Sequence, residues 1–212
     1  SWLGNEKPIT ILDISDVPSD IMMSVAGTLL NIVYEALFWG QELLVGGRKQ
    51  PLLIVLEEAH NYLRSGEDSI SSRTVQRIAK EGRKYGVGLL LVTQRPSELD
   101  ETVLSQCGTI IALRMNNTRD RSYVAAAIQD ELRAIVDLLP SLRTGEAIIS
   151  GEGVSIPSRV QFYKLPYAPK SSDPSVSETW KQPYSNDMDD YKRLVSHWRS
   201  KKFEMEVEEH DE

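Results

Sequence analysis

Hydrophobic and polar positions along this chain fall into short blocks that predict strands and helices in turn. Ile9-Thr-Ile-Leu-Asp-Ile14 is an apolar run ending in polar residues, the pattern of a buried strand. Pro18 and Ser19 open a helical pattern through Trp39, with Val25, Leu29, Ile32, Val33, Ala36 and Leu37 at helical spacing. Gly46-Gly47 and Arg48-Lys49 mark a turn, after which Leu52–Leu56 is uniformly apolar and closes on Glu57 and Glu58. A polar loop at 65–69 leads into a helix over about 71–85, which Gly86 and Gly88 break before a strand over 89–92. After Arg95-Pro96 the pattern predicts a short helix, a strand over Thr109–Leu113, two helices through about Leu139, and strands near 147–149 and 160–163.

Strands that are apolar throughout, separated by helices, imply an α/β fold: a largely parallel sheet with helices on both faces. Beyond Lys164 the composition shifts. Residues 165–186 are rich in Pro, Ser and Tyr and carry no periodicity, so they read as an extended arm. A short helix is expected over about 189–202, followed by an acidic tail. The expected organisation is therefore a core over 1–164 and an arm over 165–212.

Composition narrows the function classes. The 212 residues are 41% hydrophobic and 26% charged, which excludes a disordered or collagen-like chain. Twenty-four basic residues against thirty-one acidic ones give a net charge of -7, so the chain as a whole is not a basic nucleic-acid glove, though a local basic patch is compatible with that sum. The longest apolar stretch, Ile21 to Trp39, is interrupted by Ser24, Asn31 and Glu35, and no membrane span is expected. The single cysteine, Cys107, excludes an internal disulfide framework and points to a reducing, cytoplasmic compartment. No signal peptide is visible and the chain opens at Ser1, so a piece of a longer protein is expected.

In an open parallel sheet, ligands gather at the carboxyl ends of the strands. Three such ends carry polar groups here: Asp13 and Ser15, Glu57 and Glu58, and Thr93 and Gln94. Five apolar residues running straight into two carboxylates form the layout of a Walker B element, in which one acid holds Mg²⁺ and the next polarises the water that attacks a γ-phosphate. That assigns Glu57 to the metal and Glu58 to the water. Any strand can end in a charged turn, and the motif alone does not separate the two readings. Gln94, after the next apolar strand, is placed to sense a γ-phosphate or to cap a turn. The helix over 71–85 carries Arg73, Arg77, Lys80 and Lys84 at i, i+4, i+7 and i+11, along one face, with Arg83 at its end. An arginine at the place of Arg83 can reach across a subunit boundary to a neighbour's phosphates, whereas the bland alternative is a solvated face with snorkelling side chains. The scattered His60, His197 and His210 suggest no zinc site. A phosphate-cradling G-x-x-x-x-G-K-[ST] loop does not occur in the sequence.

The run Leu52-Leu-Ile-Val-Leu-Glu-Glu-Ala-His-Asn-Tyr-Leu63 stands in order with three further blocks. These are Ile78-Ala-Lys-Glu-Gly-Arg-Lys-Tyr-Gly86, Leu91-Val-Thr-Gln-Arg-Pro-Ser-Glu-Leu99 and Leu104-Ser-Gln-Cys-Gly-Thr-Ile-Ile-Ala-Leu-Arg114. Together they resemble the HerA family, hexameric DNA-translocating ATPases of the HerA/FtsK branch, over about Ile9 to Ile149. The resemblance implies a RecA-like ATPase core in a homo-oligomeric, hexameric ring, with ATP and Mg²⁺ bound between neighbours and double-stranded DNA in the channel. By motif, Glu57 and Glu58 match the Walker B acids, Glu57 being Glu where Asp is commoner. Gln94 matches the polar sensor with Thr93 beside it, and Arg83 matches the arginine donated in trans with Lys84 beside it. Arg64, Arg73 and Arg77 are expected to face the DNA. The resemblance also implies an effector, the nuclease NurA in DNA repair, or a sirtuin-like NADase or another nuclease in anti-phage defence. The missing phosphate loop is then expected upstream, the arm after Lys164 corresponds to a C-terminal brace, and this piece alone is expected to be inactive. The competing reading is a non-catalytic ring scaffold that docks and activates an effector enzyme. A third is a conjugation- or FtsK-type DNA pump.

Overall fold

The computed structural model describes residues 8–14, 17–44, 46–128, 133–167, 180–181 and 188–200. The chain divides into two compact units, Ser1–Lys164 and Leu165–Glu212.

The first unit begins with helix α1, Ser19–Trp39, preceded by Pro18, whose φ of -54° leads into the helix. Its buried stripe is Ala26, Leu30, Tyr34 and Leu37, at i, i+4, i+8 and i+11. Strand β1, Leu52–Leu56, is joined through helix α2, Ile70–Glu81, to strand β2, Val87–Leu91. β1 and β2 pair in parallel, with Leu52 opposite Val87 and Leu56 opposite Leu91. Ser69 caps α2, its hydroxyl accepting the Ser72 N–H at 3.0 Å. A 3₁₀ turn, Gly82–Tyr85, and Gly86 at φ 70° then return the chain to β2. A side chain on Gly86 would collide with the Gly47 carbonyl, so these two glycines let the turns before β1 and β2 touch.

One side of the two-strand sheet forms the core. Leu52, Ile54, Leu89 and Leu91 pack on Leu30, Tyr34, Val75 and Ile78 from α1 and α2. Short helix α3, Glu101–Ser105, adds Val103 to this core.

A second core lies on an antiparallel sheet of β3 (Thr109–Leu113), β4 (Glu146–Gly151) and β5 (Ser158–Gln161), in the order β3-β4-β5. Helices α4 (Thr118–Ala127) and α5 (Arg133–Val136) accompany it, and Ala112, Val124, Val136, Leu139, Leu142 and Ile148 are buried together. In the second unit, helix α6 spans Met188–Ser200. Most of the expected extended arm, and the acidic tail, lie outside the described residues.

Several expectations are corrected. Instead of one largely parallel sheet, the described residues form two separate sheets, β1–β2 parallel and β3-β4-β5 antiparallel. An apolar run specifies burial but not strand direction, and only the parallel pair here comes from a β-α-β crossover. Helices do not cover both faces among the described residues. Leu53, Val55 and Leu90 on the second face of β1–β2 are 60%, 47% and 43% exposed. The run Ile9–Ile14 is not a strand, because none of the described strands pairs with it. Gly88 lies inside β2 rather than before it. By length and mean hydropathy (1.6), Ile21–Trp39 does qualify as a helix able to cross a bilayer, since the three interrupting polar residues are diluted by apolar neighbours. Its inner stripe is packed on α2 and the sheet.

Candidate functional site

The parallel register brings the carboxyl ends of β1 and β2 side by side, and the backbone there departs from a regular ladder. Val92 N–H donates to the Leu56 carbonyl at 3.0 Å, and Ala59 N–H donates to the Val92 carbonyl at 2.9 Å. Glu57 and Glu58 are therefore looped out between two bonds to a single residue of the neighbouring strand. To make that loop, Glu58 adopts φ 48° and ψ 48°. It is the one non-glycine residue with positive φ among the described residues. A side chain in this left-handed region carries backbone strain, and such strain concentrates at functional sites.

The loop presents its two acids differently. Glu57 is exposed. Glu58 turns toward the end of β2, where Gln94 Nε2 donates to Glu58 Oε1 at 2.8 Å. Glu58 Oε2 is closed off from solvent without a hydrogen bond, and the His60 Nδ1 atom stands 3.4 Å from it. His60 sits in the single 3₁₀ turn Ala59–Asn61 that follows the acids, and its side chain is 14% exposed. Its Nδ1 also meets the Thr93 hydroxyl at 3.0 Å, while that same hydroxyl oxygen accepts the Arg95 N–H at 3.0 Å. Nearby Tyr62 has its hydroxyl pushed above its ordinary value, by burial first and then by the charge of Glu58.

Of the residues singled out in the sequence, Glu58, Thr93 and Gln94 are thus brought together, with Glu57 adjacent. Arg83 and Lys84 are not. They precede β2 and lie at the opposite end of the sheet, both exposed. Five residues of strand separate them from the Gln94 end, about 16 Å at roughly 3.3 Å per residue. Arg64 and Arg73 are also exposed, with Glu67 at 3.8 Å from Arg64 and Asp68 at 3.3 Å from Arg73.

Arg77 is exposed as well, but it is engaged by neighbouring side chains. It holds Glu35 of α1 at 2.8 Å and Glu81 of α2 at 2.9 Å, and its guanidinium lies 4.8 Å from the centre of the Tyr34 ring. Through Nε and Nη1 it thus braces α1 against α2, with the Tyr34 ring against its plane. The basic face continues to Lys80 in the last turn of α2, whereas Lys84 falls in the 3₁₀ turn beyond it.

His60 is the site residue that sequence reasoning missed. Its signal was position, two residues beyond Glu58 on the same exit from β1; as one of three scattered histidines it carried no metal-binding spacing.

The family described as Helicase HerA-like C-terminal matches residues 14–193. The DNA double-strand break repair helicase HerA of Sulfolobus acidocaldarius is 34% identical over 174 residues, 82% of this chain and 35% of that protein. The protein of the same name from Pyrococcus furiosus is 44% identical over 115 residues, 54% of this chain and 21% of that protein. The chain therefore spans about a third or less of the length of these curated relatives. Among solved structures, the genome packaging NTPase B204 of Sulfolobus turreted icosahedral virus 2, in complex with ATP-gammaS, shares the fold with a TM-score of 0.55. That match covers 74% of this chain and 68% of B204 at 13% identity.

Proposed function

The chain belongs to the HerA-like helicase family, matching its C-terminal part, and on that premise we propose that it is the ATPase subunit of a ring-shaped, ATP-driven translocase of double-stranded DNA. The observation that carries this reading is the looped-out acid pair at the end of β1, with Glu58 bound to Gln94 at the end of β2. Glu58 orients the attacking water as a general base, and Gln94, in contact with it, transmits the state of the γ-phosphate. Mg²⁺ uses one or two protein carboxylates, keeps several waters and otherwise binds phosphate oxygens. The exposed Glu57 fits that demand, and among the described residues no group of three potential ligands offers a dedicated cage for the ion. Bound there, the ion would neutralise charge on the phosphates.

No stretch of the sequence has the glycine–lysine pattern of a phosphate loop. Turnover is accordingly proposed for the full-length oligomer, a hexamer in this reading, with the ATP phosphates held by residues beyond this stretch. Arg83, exposed at the far end of β2, acts on a neighbouring subunit's nucleotide rather than its own, with Lys84 beside it. Arg64 and Arg73 contact DNA phosphates, which predicts salt-sensitive and sequence-blind binding. An effector enzyme, a nuclease such as NurA or a sirtuin-like NADase, works with the ring in a cytoplasmic setting of DNA repair or anti-phage defence.

The test is Glu58→Gln in the full-length protein. ATP hydrolysis is expected to fall below detection while ATP binding and ring assembly persist. Turnover at the wild-type rate would remove Glu58 from the mechanism.

A further inference from the structure

We propose that His60 is a positioning residue for Glu58, holding the carboxylate oxygen that Gln94 does not. The inference rests on the ATPase reading above and deepens it.

Glu58 Oε1 has its donor in Gln94 at 2.8 Å. Glu58 Oε2 has none, although solvent does not reach it. A carboxylate oxygen shut off from water without a donor is costly, and native sites rarely leave one so. His60 Nδ1 is in reach of it, 3.4 Å away. That separation is a few tenths of an ångström beyond a hydrogen bond, and a small rotation of the ring closes it.

The rest of the arrangement favours the tautomer that makes this bond. The Thr93 oxygen that faces Nδ1 accepts the Arg95 N–H and keeps a second lone pair. An Nδ1–H can therefore be shared between Thr93 Oγ1 and Glu58 Oε2. Chain geometry then fixes the ring from both sides. His60 rides on the turn that follows the looped-out acids, and Thr93 lies on the extension of β2 that bonds that same loop. With Gln94 on one oxygen and His60 on the other, the carboxylate plane of Glu58 is set by two donors from two chain segments. A second lone-pair site on Oε1 remains for a water. A catalytic base held in this way keeps its reach to the attacking water, and misplacement by about 1 Å can cost a hundredfold in rate. His60 itself touches neither nucleotide nor water in this proposal.

The decisive experiment compares steady-state ATP hydrolysis by the full-length protein with His60→Ala and His60→Asn. His60→Ala is expected to lower kcat about 10- to 100-fold with KM for ATP within twofold of wild type. His60→Asn, which keeps an amide donor near the Nδ1 position, is expected to recover most of that loss. Wild-type kcat in His60→Ala, a loss in KM alone, or no recovery in His60→Asn would each overturn the proposal. A second readout does not depend on turnover. The ¹⁵N shifts of the His60 ring are expected to show an Nδ1–H tautomer whose Nδ1 signal moves in Glu58→Gln; an Nε2–H tautomer indifferent to Glu58→Gln overturns the proposal. Absent turnover in the wild type, together with a responsive Nδ1 signal, would sink the ATPase reading and leave the His60–Glu58 contact standing.

Discussion

Gln94 and Glu58 are joined by a 2.8 Å hydrogen bond across the ends of two neighbouring parallel strands, though 36 positions separate them in the chain. The bond exists because Leu56 and Leu91 are register partners and because the backbone loops outward at Glu57 and Glu58 to rejoin Val92. It connects the proposed water-polarising acid to the strand on which a phosphate would be sensed.

Removing the amide donor isolates that link. Gln94→Ala in the full-length protein is expected to reduce ATP turnover by about 10- to 100-fold while ATP affinity changes little. Steady-state kinetics with a separate nucleotide-binding measurement checks the split; a loss confined to binding would assign Gln94 to holding nucleotide instead.

Arg83 sits at the wrong end of β2 to serve the site on its own chain. Neither Arg83→Ala nor Glu58→Gln subunits should turn over ATP alone, yet mixed rings are expected to regain part of the activity. An interface in which the Arg83→Ala subunit supplies the acid and the Glu58→Gln subunit supplies the arginine is then intact, and a finger arginine of this kind is worth ~10³ to 10⁵ in rate. Absence of rescue at every mixing ratio would place Arg83 outside the mechanism.

The basic residues of α2 and the loop before it divide by task. Arg64→Ala and Arg73→Ala are each expected to reduce the salt dependence of DNA binding by about one ion and to leave stability nearly unchanged. Arg77→Ala is expected to do the reverse, lowering stability by about 1–2 kcal/mol through lost ring contact and ion pairing between α1 and α2. Arg77→Lys should recover little, since an ammonium cannot fork between Glu35 and Glu81. Salt titrations of DNA affinity and urea unfolding separate the two behaviours.

The same brace sets a pH profile. Burial, then the hydrogen bond to Glu81, pushes the Tyr34 hydroxyl from 10.0 up to about 12. Because the folded state holds that proton more tightly, the associated stability is whole below pH 10 and is lost as pH rises from 10 toward 12. Glu81 is shifted the other way: hydrogen bonds from Arg77 and then Tyr34 hold its carboxyl below the ordinary 4.5. Its contribution is present above that ordinary value and is lost as pH falls through the lower folded one. Urea midpoints measured across pH are expected to decline at both ends. Tyr34→Phe should flatten the alkaline decline and lower stability near neutrality by about 1 kcal/mol, the loss of one hydrogen bond.

Much of this molecule was legible without coordinates. β1 and β3 occupy the predicted residues, and α1 and α2 lie within a residue or two of their expected starts. Apolar periodicity and the punctuation of Pro18, Ser69 and Gly86 are local signals, and local signals survive folding. The acid pair was equally visible, as a uniform apolar run meeting two carboxylates.

Amino-acid order alone thus determined which segments become strands and helices, the family resemblance, and that Glu57, Glu58 and Gln94 stand at strand ends. Only the tertiary structure decided strand direction, the uncovered face of β1–β2, the pairing of Arg77 with Glu35 and the place of His60 beside Glu58. The reason is physical. Periodicity reports how much water each position avoids, whereas register, left-handed backbone at Glu58 and the choice among donors for a carboxylate depend on which distant segments arrive next to it.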